Sequence, residues 1–104
     1  MKRLTISTTA VSGIRPRYAL RCALEAMMAV KDVADLIKVD FPAYRKFVMT
    51  STFGDNINPV DMTSQQADKL LSSMLTMRSW IETLSPEEFL KFKKKVVASI
   101  EKGE

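Results

Sequence analysis

The residues that could carry out catalysis are few, and they do not form a recognisable catalytic pattern. The chain of 104 residues has no histidine and a single cysteine, Cys22. Without histidine, a Ser-His-Asp triad, a Cys-His pair and every histidine-containing zinc site are excluded. Asp32 and Asp35 lie three residues apart, but neither a metal-ligand nor an acid/base pattern accompanies them. We therefore expect a protein that is not an enzyme, with no catalytic residue, no metal and no cofactor.

The single cysteine and the hydropathy pattern predict where the protein resides. Cys22 has no partner for an internal disulfide, and a free cysteine usually behaves as a small buried apolar residue. No apolar run approaches the length of about 18 residues that spans a bilayer. The basic start, Lys2 and Arg3, is not followed by the apolar segment of a secretory signal. We expect a cytoplasmic protein that does not enter a membrane.

The basic residues that could contact nucleic acid are concentrated near the N-terminus. The formal net charge is +4, yet residues 1–24 carry five basic residues and no acidic one. Three interpretations stay open for residues 1–15: an arm on the phosphate backbone of DNA, a transit peptide, or a solvated strand or loop. The β-forming run "LTISTTAV" favours a short strand. The candidate nucleic-acid contacts near the N-terminus are Lys2, Arg3 and Arg15 in this segment and Arg17 just after it.

Residues 30–48, "VKDVADLIKVDFPAYRKFV", predict two short helices joined at "KVD". Ala34 is small enough for the point where the helices cross, and Val39 can fill the turn between them. The stretch resembles the helix-turn-helix class of DNA-binding motifs, which implies that Arg45 contacts a guanine edge and Lys46 a phosphate.

Two residues of the same stretch favour the alternative, a simple helical corner. Asp40 leads the second helix, where phosphates would repel it. Lys38 occupies the turn position often filled by glycine, and a positive φ there costs about 1 kcal/mol.

A third set of candidate residues is an apolar stripe that could pair two helices. From Ala67 to Leu84 the apolar residues are spaced three and four apart, over just over two heptads. That length predicts either a core-facing helix or a dimer seam. Trp80 fits a core anchor or an interface hot spot. The candidate interface residues are Leu70, Met74, Met77, Trp80 and Ile81.

These residues support two functions. The first is a small DNA-binding regulator that acts as a dimer, with a basic arm and residues 30–48 as its DNA contacts. The second is a protein-binding helical module, an inhibitor, adaptor or assembly factor. The seven methionines of the sequence favour this second function, since methionine suits adaptable apolar surfaces.

The elements that must position these residues are helices. "TSQQ" and "SPEE" both fit the capping box that begins a helix, and Asp40 with Pro42 begins another. "STFGDNINPVD" is the clearest loop. We predict an all-α bundle of about five helices in one domain, residues 16–104, after the arm. The predicted helices are residues 16–29, 32–38, 42–50, 64–83 and 86–101.

Two of these helices carry further expectations. The first should face the core through a wide apolar stripe, and the last carries lysines that are either solvated or in contact with a phosphate or an acidic partner. The predicted stripe consists of Tyr18, Leu20, Ala23, Leu24, Met27 and Met28. The lysines are Lys91, Lys93, Lys94 and Lys95.

Overall fold

The computed structural model describes residues 8–103, with side chains from Arg17 onward. Its regular elements are all helical, which confirms the all-α class, and no strand occurs within these residues. The elements are α1 (Thr8–Ile37), α2 (Phe41–Phe53), a short 3-10 turn (Pro59–Asp61), α3 (Ser64–Ile81) and α4 (Pro86–Glu101).

The helices predicted at 16–29 and 32–38 are one continuous helix, so the described chain has four α-helices rather than five. The predicted break falls at Ala29–Lys31, where neither glycine nor proline interrupts the hydrogen-bond ladder. Asp32 does not begin a new helix. Instead Lys31 pairs with Asp35 at 2.9 Å, an i,i+4 contact that supports an uninterrupted helix.

The predicted N-terminal arm is also shorter than expected. Residues 8–15 belong to α1, so a strand or loop over that part of the arm is wrong. Lys2 and Arg3 lie outside the described residues. The side chain of Arg15 lies outside them too, although its backbone is helical.

The corner at "KVD" is present between α1 and α2. Lys38 has φ 59°, the left-handed conformation expected for the residue in this turn. The Val39 N–H donates to the Ala34 carbonyl at 3.0 Å and the Lys38 N–H to the Asp35 carbonyl at 3.2 Å. This pair of bonds is a Schellman motif, which satisfies the last carbonyls of α1 and turns the chain sharply.

The other helix ends follow the predicted capping chemistry. Asp40 caps α2 by accepting from the Ala43 N–H at 3.1 Å, and Gly54 ends α2 with φ 78°. Both capping boxes form, at Thr63 for α3 and at Ser85 for α4. Compared with the predicted helices, α2 ends later, at residue 53, and α3 ends earlier, at residue 81. The bounds of α4 are the predicted ones.

The core lies mainly between α1 and α3. The side of α1 that faces inward is lined by small residues, among them Ala26 and Ala34, which have no exposed surface. Leu70 and Met74 of α3 belong to the same buried cluster as these alanines. The Asp32 carboxylate lies 3.6 Å from the Arg78 guanidinium, near the C-terminal ends of both helices. The two helices therefore run in the same direction, and α2 returns the chain between them.

The apolar stripe predicted to bury the first helix is largely on its outside. Of the six predicted residues only Ala23 is buried and Met27 is half-buried. Tyr18, Leu20, Leu24 and Met28 are exposed. The alanines lie on the inward side because small side chains let the backbones of α1 and α3 approach closely. The larger apolar side chains of the predicted stripe therefore face away from α3.

α4 is the least buried helix. It turns back after residues 82–85 and packs against α2, with Val96 as its buried residue. Phe89, Phe92 and Ile100 are only partly covered by the core. The side of α4 beside its contact with α3 therefore remains open to solvent.

Candidate protein-binding groove

An open groove lies where α3 and α4 meet. Its floor is formed by Met77 and Trp80 of α3 and by Phe92 of α4, and its volume is about 640 Å³. Ser73 and Thr76 form the polar wall on the α3 side. Because most of the surface inside is apolar while the opening faces solvent, the groove is suited to apolar side chains from another molecule. We call it the α3–α4 groove.

Trp80 and Phe92 hold the centre of the groove. Their ring centroids lie 5.1 Å apart at an interplanar angle of 85°, the edge-to-face arrangement that aromatic pairs favour. Trp80 nevertheless keeps 46% of its surface exposed. A tryptophan that is held in place by one aromatic contact and still largely exposed can anchor a binding partner with little loss of side-chain entropy.

Two smaller depressions adjoin the groove at Phe92. One of about 190 Å³ reaches Tyr44 and Phe47 of α2, and another of about 310 Å³ follows α4 towards Leu84. Together they extend the apolar surface along the length of α4. A helical or extended segment could contact all three depressions at once.

The rim of the groove is basic. Lys69 stands at the α3 side, and Lys91 and Lys95 line the adjoining depressions along α4. Lys69 is positioned by Phe53, since its Nζ lies 5.9 Å from the centre of that ring. The surface thus combines an apolar floor with a cationic edge.

The one acidic residue among those lining the groove and its extensions is already engaged. Glu88 accepts from the Ser85 N–H at 2.9 Å as part of the α4 capping box. This backbone hydrogen bond lowers the pKa of Glu88 below its usual value. Glu88 therefore stays ionised, and its carboxylate is held at the N-terminus of α4 instead of forming an ion pair with Lys91 or Lys95.

The structure divides the five predicted interface residues between the core and the groove. Leu70, Met74 and Ile81 are buried against the rest of the chain, so they are not available to a second copy. Met77 and Trp80 reach the surface and belong to the groove. Most residues of the heptad pattern thus face the core, and only Met77 and Trp80 at the edge of α3 remain accessible to a partner.

Phe92 is the groove residue that the sequence did not single out. Its spacing with Phe89 and Val96 is typical of the inward side of a helix, but it does not indicate that the side of α4 facing α3 stays open. Only the position of α4 against α2 shows this.

Three of the predicted nucleic-acid contacts have described side chains, and these lie on two helices. Arg17 is exposed on α1 and Lys46 is exposed on α2. Arg45 is partly buried, with its guanidinium carbon 5.8 Å from the centre of the Phe41 ring. Its Nε is buried and makes no hydrogen bond. Arg45 is thus folded onto its own helix instead of projecting from it, which weakens the contact with a base that the motif implies.

The methionines are likewise divided between core and surface. Met49, Met62 and Met74 are buried, while Met28 is 68% exposed on α1. Only Met77 lines the α3–α4 groove. An extended methionine surface is therefore not what defines this site.

Comparison with known proteins adds no relative: no family model, no curated protein and no solved structure matches this chain. Within residues 8–103, no cluster of three acidic or cysteine side chains is placed to hold a metal ion. None of the helices in the same range has both the length and the hydrophobicity needed to cross a bilayer.

Proposed function

We propose that this chain is a non-enzymatic protein-interaction module that binds an acidic, amphipathic segment of another protein in the α3–α4 groove. The observation that carries the proposal is the half-exposed Trp80, set beside Met77 and Phe92 under a rim of lysines. Tryptophan is the residue type most enriched among interface hot spots. An amphipathic helix places apolar side chains at i, i+3, i+4 and i+7, which matches a long apolar groove.

The charge of the rim selects the partner. Lys69, Lys91 and Lys95 would meet acidic residues on the polar side of such a helix. Charges at the rim of an interface contribute mostly to the rate of association and to specificity, while the apolar floor supplies most of the affinity. A basic segment with the same apolar residues should therefore bind poorly.

DNA binding through residues 30–48 is the function with less support. Lys46 and Arg17 are exposed and the corner between α1 and α2 is present, but Arg45 is folded onto Phe41. Asp40 also places a carboxylate at the leading end of α2. These features oppose a base contact at the position where the motif requires one.

Trp80 provides a direct test, because it is the only tryptophan of the sequence and lies in the groove. The probe is a synthetic amphipathic helix with leucines on one side and glutamates elsewhere, and its control replaces every glutamate by lysine. Titration of the acidic peptide should shift the Trp80 emission to shorter wavelength, while the basic peptide should not.

Two variants locate the binding site. Phe92→Ala should weaken the acidic peptide by about tenfold or more, equivalent to about 1.4 kcal/mol or more. Leu75→Ala is the matched control, since Leu75 is an exposed apolar residue of α3 outside the groove. Lys91→Glu with Lys95→Glu should reduce the preference for the acidic peptide.

Duplex DNA forms the competing arm of the experiment. If the acidic peptide leaves the Trp80 emission unchanged and duplex DNA binds with a steep salt dependence that Lys46→Ala weakens, the groove proposal is wrong and the DNA-binding function replaces it.

A further inference from the structure

The smaller depression that adjoins the α3–α4 groove on the side of α2 is lined by aromatic rings. Its lining includes Tyr44 and Phe47 of α2, Met77 of α3 and Phe92 of α4. Tyr44 is buried in the core, and its ring centroid lies 6.1 Å from that of Phe47. Because the core holds Tyr44, part of this aromatic lining is in place before any partner binds. We call this space the α2–α4 depression.

The α2–α4 depression has room for one aromatic ring. Its volume is about 190 Å³, and most of the surface inside is apolar. An apolar cavity of about 150 Å³ can hold a benzene ring and otherwise stays free of water. A ring that enters meets the rings of α2 and α4, which favours an aromatic over an aliphatic side chain. The thioether of Met77 also makes favourable contacts with aromatic rings. The size and the lining therefore match the side chain of phenylalanine.

The edge of the α2–α4 depression is cationic. Lys95 is exposed and lines both this depression and the adjoining one along α4, which Lys91 lines as well. Among the described side chains, both ion pairs involve aspartates of α1, and neither includes Lys95. The nearby carboxylate of Glu88 is engaged at the N-terminus of α4. Lys95 can therefore pair with a carboxylate that a partner brings.

We propose that the α2–α4 depression is the anchor site for a single phenylalanine of the partner segment, with an acidic residue one helical turn away that pairs with Lys95. This inference rests on the proposed function, because it names the residue by which the acidic segment is recognised. The space beside Trp80 is about 640 Å³, large enough for several side chains, so it selects less strongly among them.

Three acidic peptides test the anchor. They share one amphipathic sequence except at the central apolar position, which is phenylalanine, leucine or alanine, and Trp80 emission measures their affinities. The phenylalanine peptide should bind about tenfold or more tightly than the alanine peptide, since truncation of a buried anchor is costly. It should bind about twofold to tenfold more tightly than the leucine peptide, which cannot make the contacts between rings.

Ser99 offers a variant that fills the depression. It lines the depression from α4, so Ser99→Leu places an apolar side chain in the space meant for the ring. This variant should bind the phenylalanine peptide no more tightly than the alanine peptide. Its affinity for the alanine peptide should equal that of the wild type, which shows that the rest of the groove is intact. Ala98→Leu is the matched control, because Ala98 is exposed on another side of α4, and it should keep the preference for phenylalanine.

Lys95→Gln tests the charge beside the anchor, because it removes the charge and keeps methylene groups at the edge. The probe is the phenylalanine peptide with glutamates four residues before and after the anchor, and its control has glutamine at both positions. Lys95→Gln should weaken the glutamate peptide by about twofold or more and leave the glutamine peptide unchanged. Lys94→Gln is the matched variant, since Lys94 is exposed outside this depression, and it should bind both peptides as the wild type does.

The outcomes separate this inference from the proposed function. If the three anchor peptides bind with equal affinity, the groove binds an acidic segment but the depression is not an anchor site. A preference for phenylalanine that Ser99→Leu leaves unchanged places the ring elsewhere and also overturns the inference. A glutamate peptide that Lys95→Gln does not weaken overturns the acidic neighbour of the anchor. If no peptide changes the Trp80 emission, the proposed function itself is wrong and the anchor site is rejected with it.

Discussion

Lys38 is the one residue other than glycine with a positive φ in the described part of the chain. Its Cβ makes this conformation cost about 1 kcal/mol, which glycine would avoid. We expect Lys38→Gly to stabilise the fold by about 0.5 to 1 kcal/mol relative to Lys38→Ala, a control that removes the charge and keeps the Cβ. Urea unfolding of both variants measures the difference. Equal stability of the two would show that the turn carries no strain at this residue.

Tyr44 makes the stability depend on pH in the alkaline range. Burial raises the pKa of Tyr44 from 10.0 to about 12, because the core disfavours the phenolate. The unfolded chain therefore releases this proton first, so stability is retained below pH 10 and falls between about pH 10 and 12. The loss is on the order of 2 kcal/mol.

The matched variant for this effect is Tyr44→Phe, which keeps the ring and removes the ionisable group. Stability measured by urea unfolding from pH 9 to 12 should fall less steeply for Tyr44→Phe than for the wild type. Parallel curves would show that other groups, such as the lysines, account for the whole alkaline loss.

At the scale of the elements, local chemistry predicts where helices begin better than where they continue. Asp40, Thr63 and Ser85 mark helix starts because a cap is decided by a side chain and a backbone N–H within three residues. The uninterrupted course of α1 has no such marker, since the absence of glycine and proline at residues 29–32 and the Lys31–Asp35 pair permit a continuous helix without requiring one. The inward side of α1 was mispredicted for a similar reason, since apolar residues occur on both sides and only the close approach of α3 selects the alanines.

α4 should be the first helix to open. Val96 is its one fully buried residue, so its stability rests on local terms such as the capping box. Ser85→Ala removes the acceptor for the Glu88 N–H, at a cost of about 1 kcal/mol. Hydrogen exchange should become faster in α4 while the amides of α1 and α3 keep their protection.

Thr63→Ala provides the comparison for α4. It removes the same kind of cap from α3, whose Leu70 and Met74 are buried against α1. Because α3 cannot open without the core, exchange should rise in α1 and α3 together. If Ser85→Ala instead increased hydrogen exchange equally in every helix, α4 would unfold only together with the whole molecule.

At the scale of the whole molecule, the candidate site was only half predictable. Met77 follows from the heptad pattern of one helix and Trp80 from the enrichment of tryptophan at interfaces, and both line the groove. Phe92, Lys91 and Lys95 enter the site through the position of α4 on α2, a contact between segments that are about 45 residues apart in the sequence. Such a position follows from the packing of side chains across the bundle, and the periodicity of single helices does not contain it.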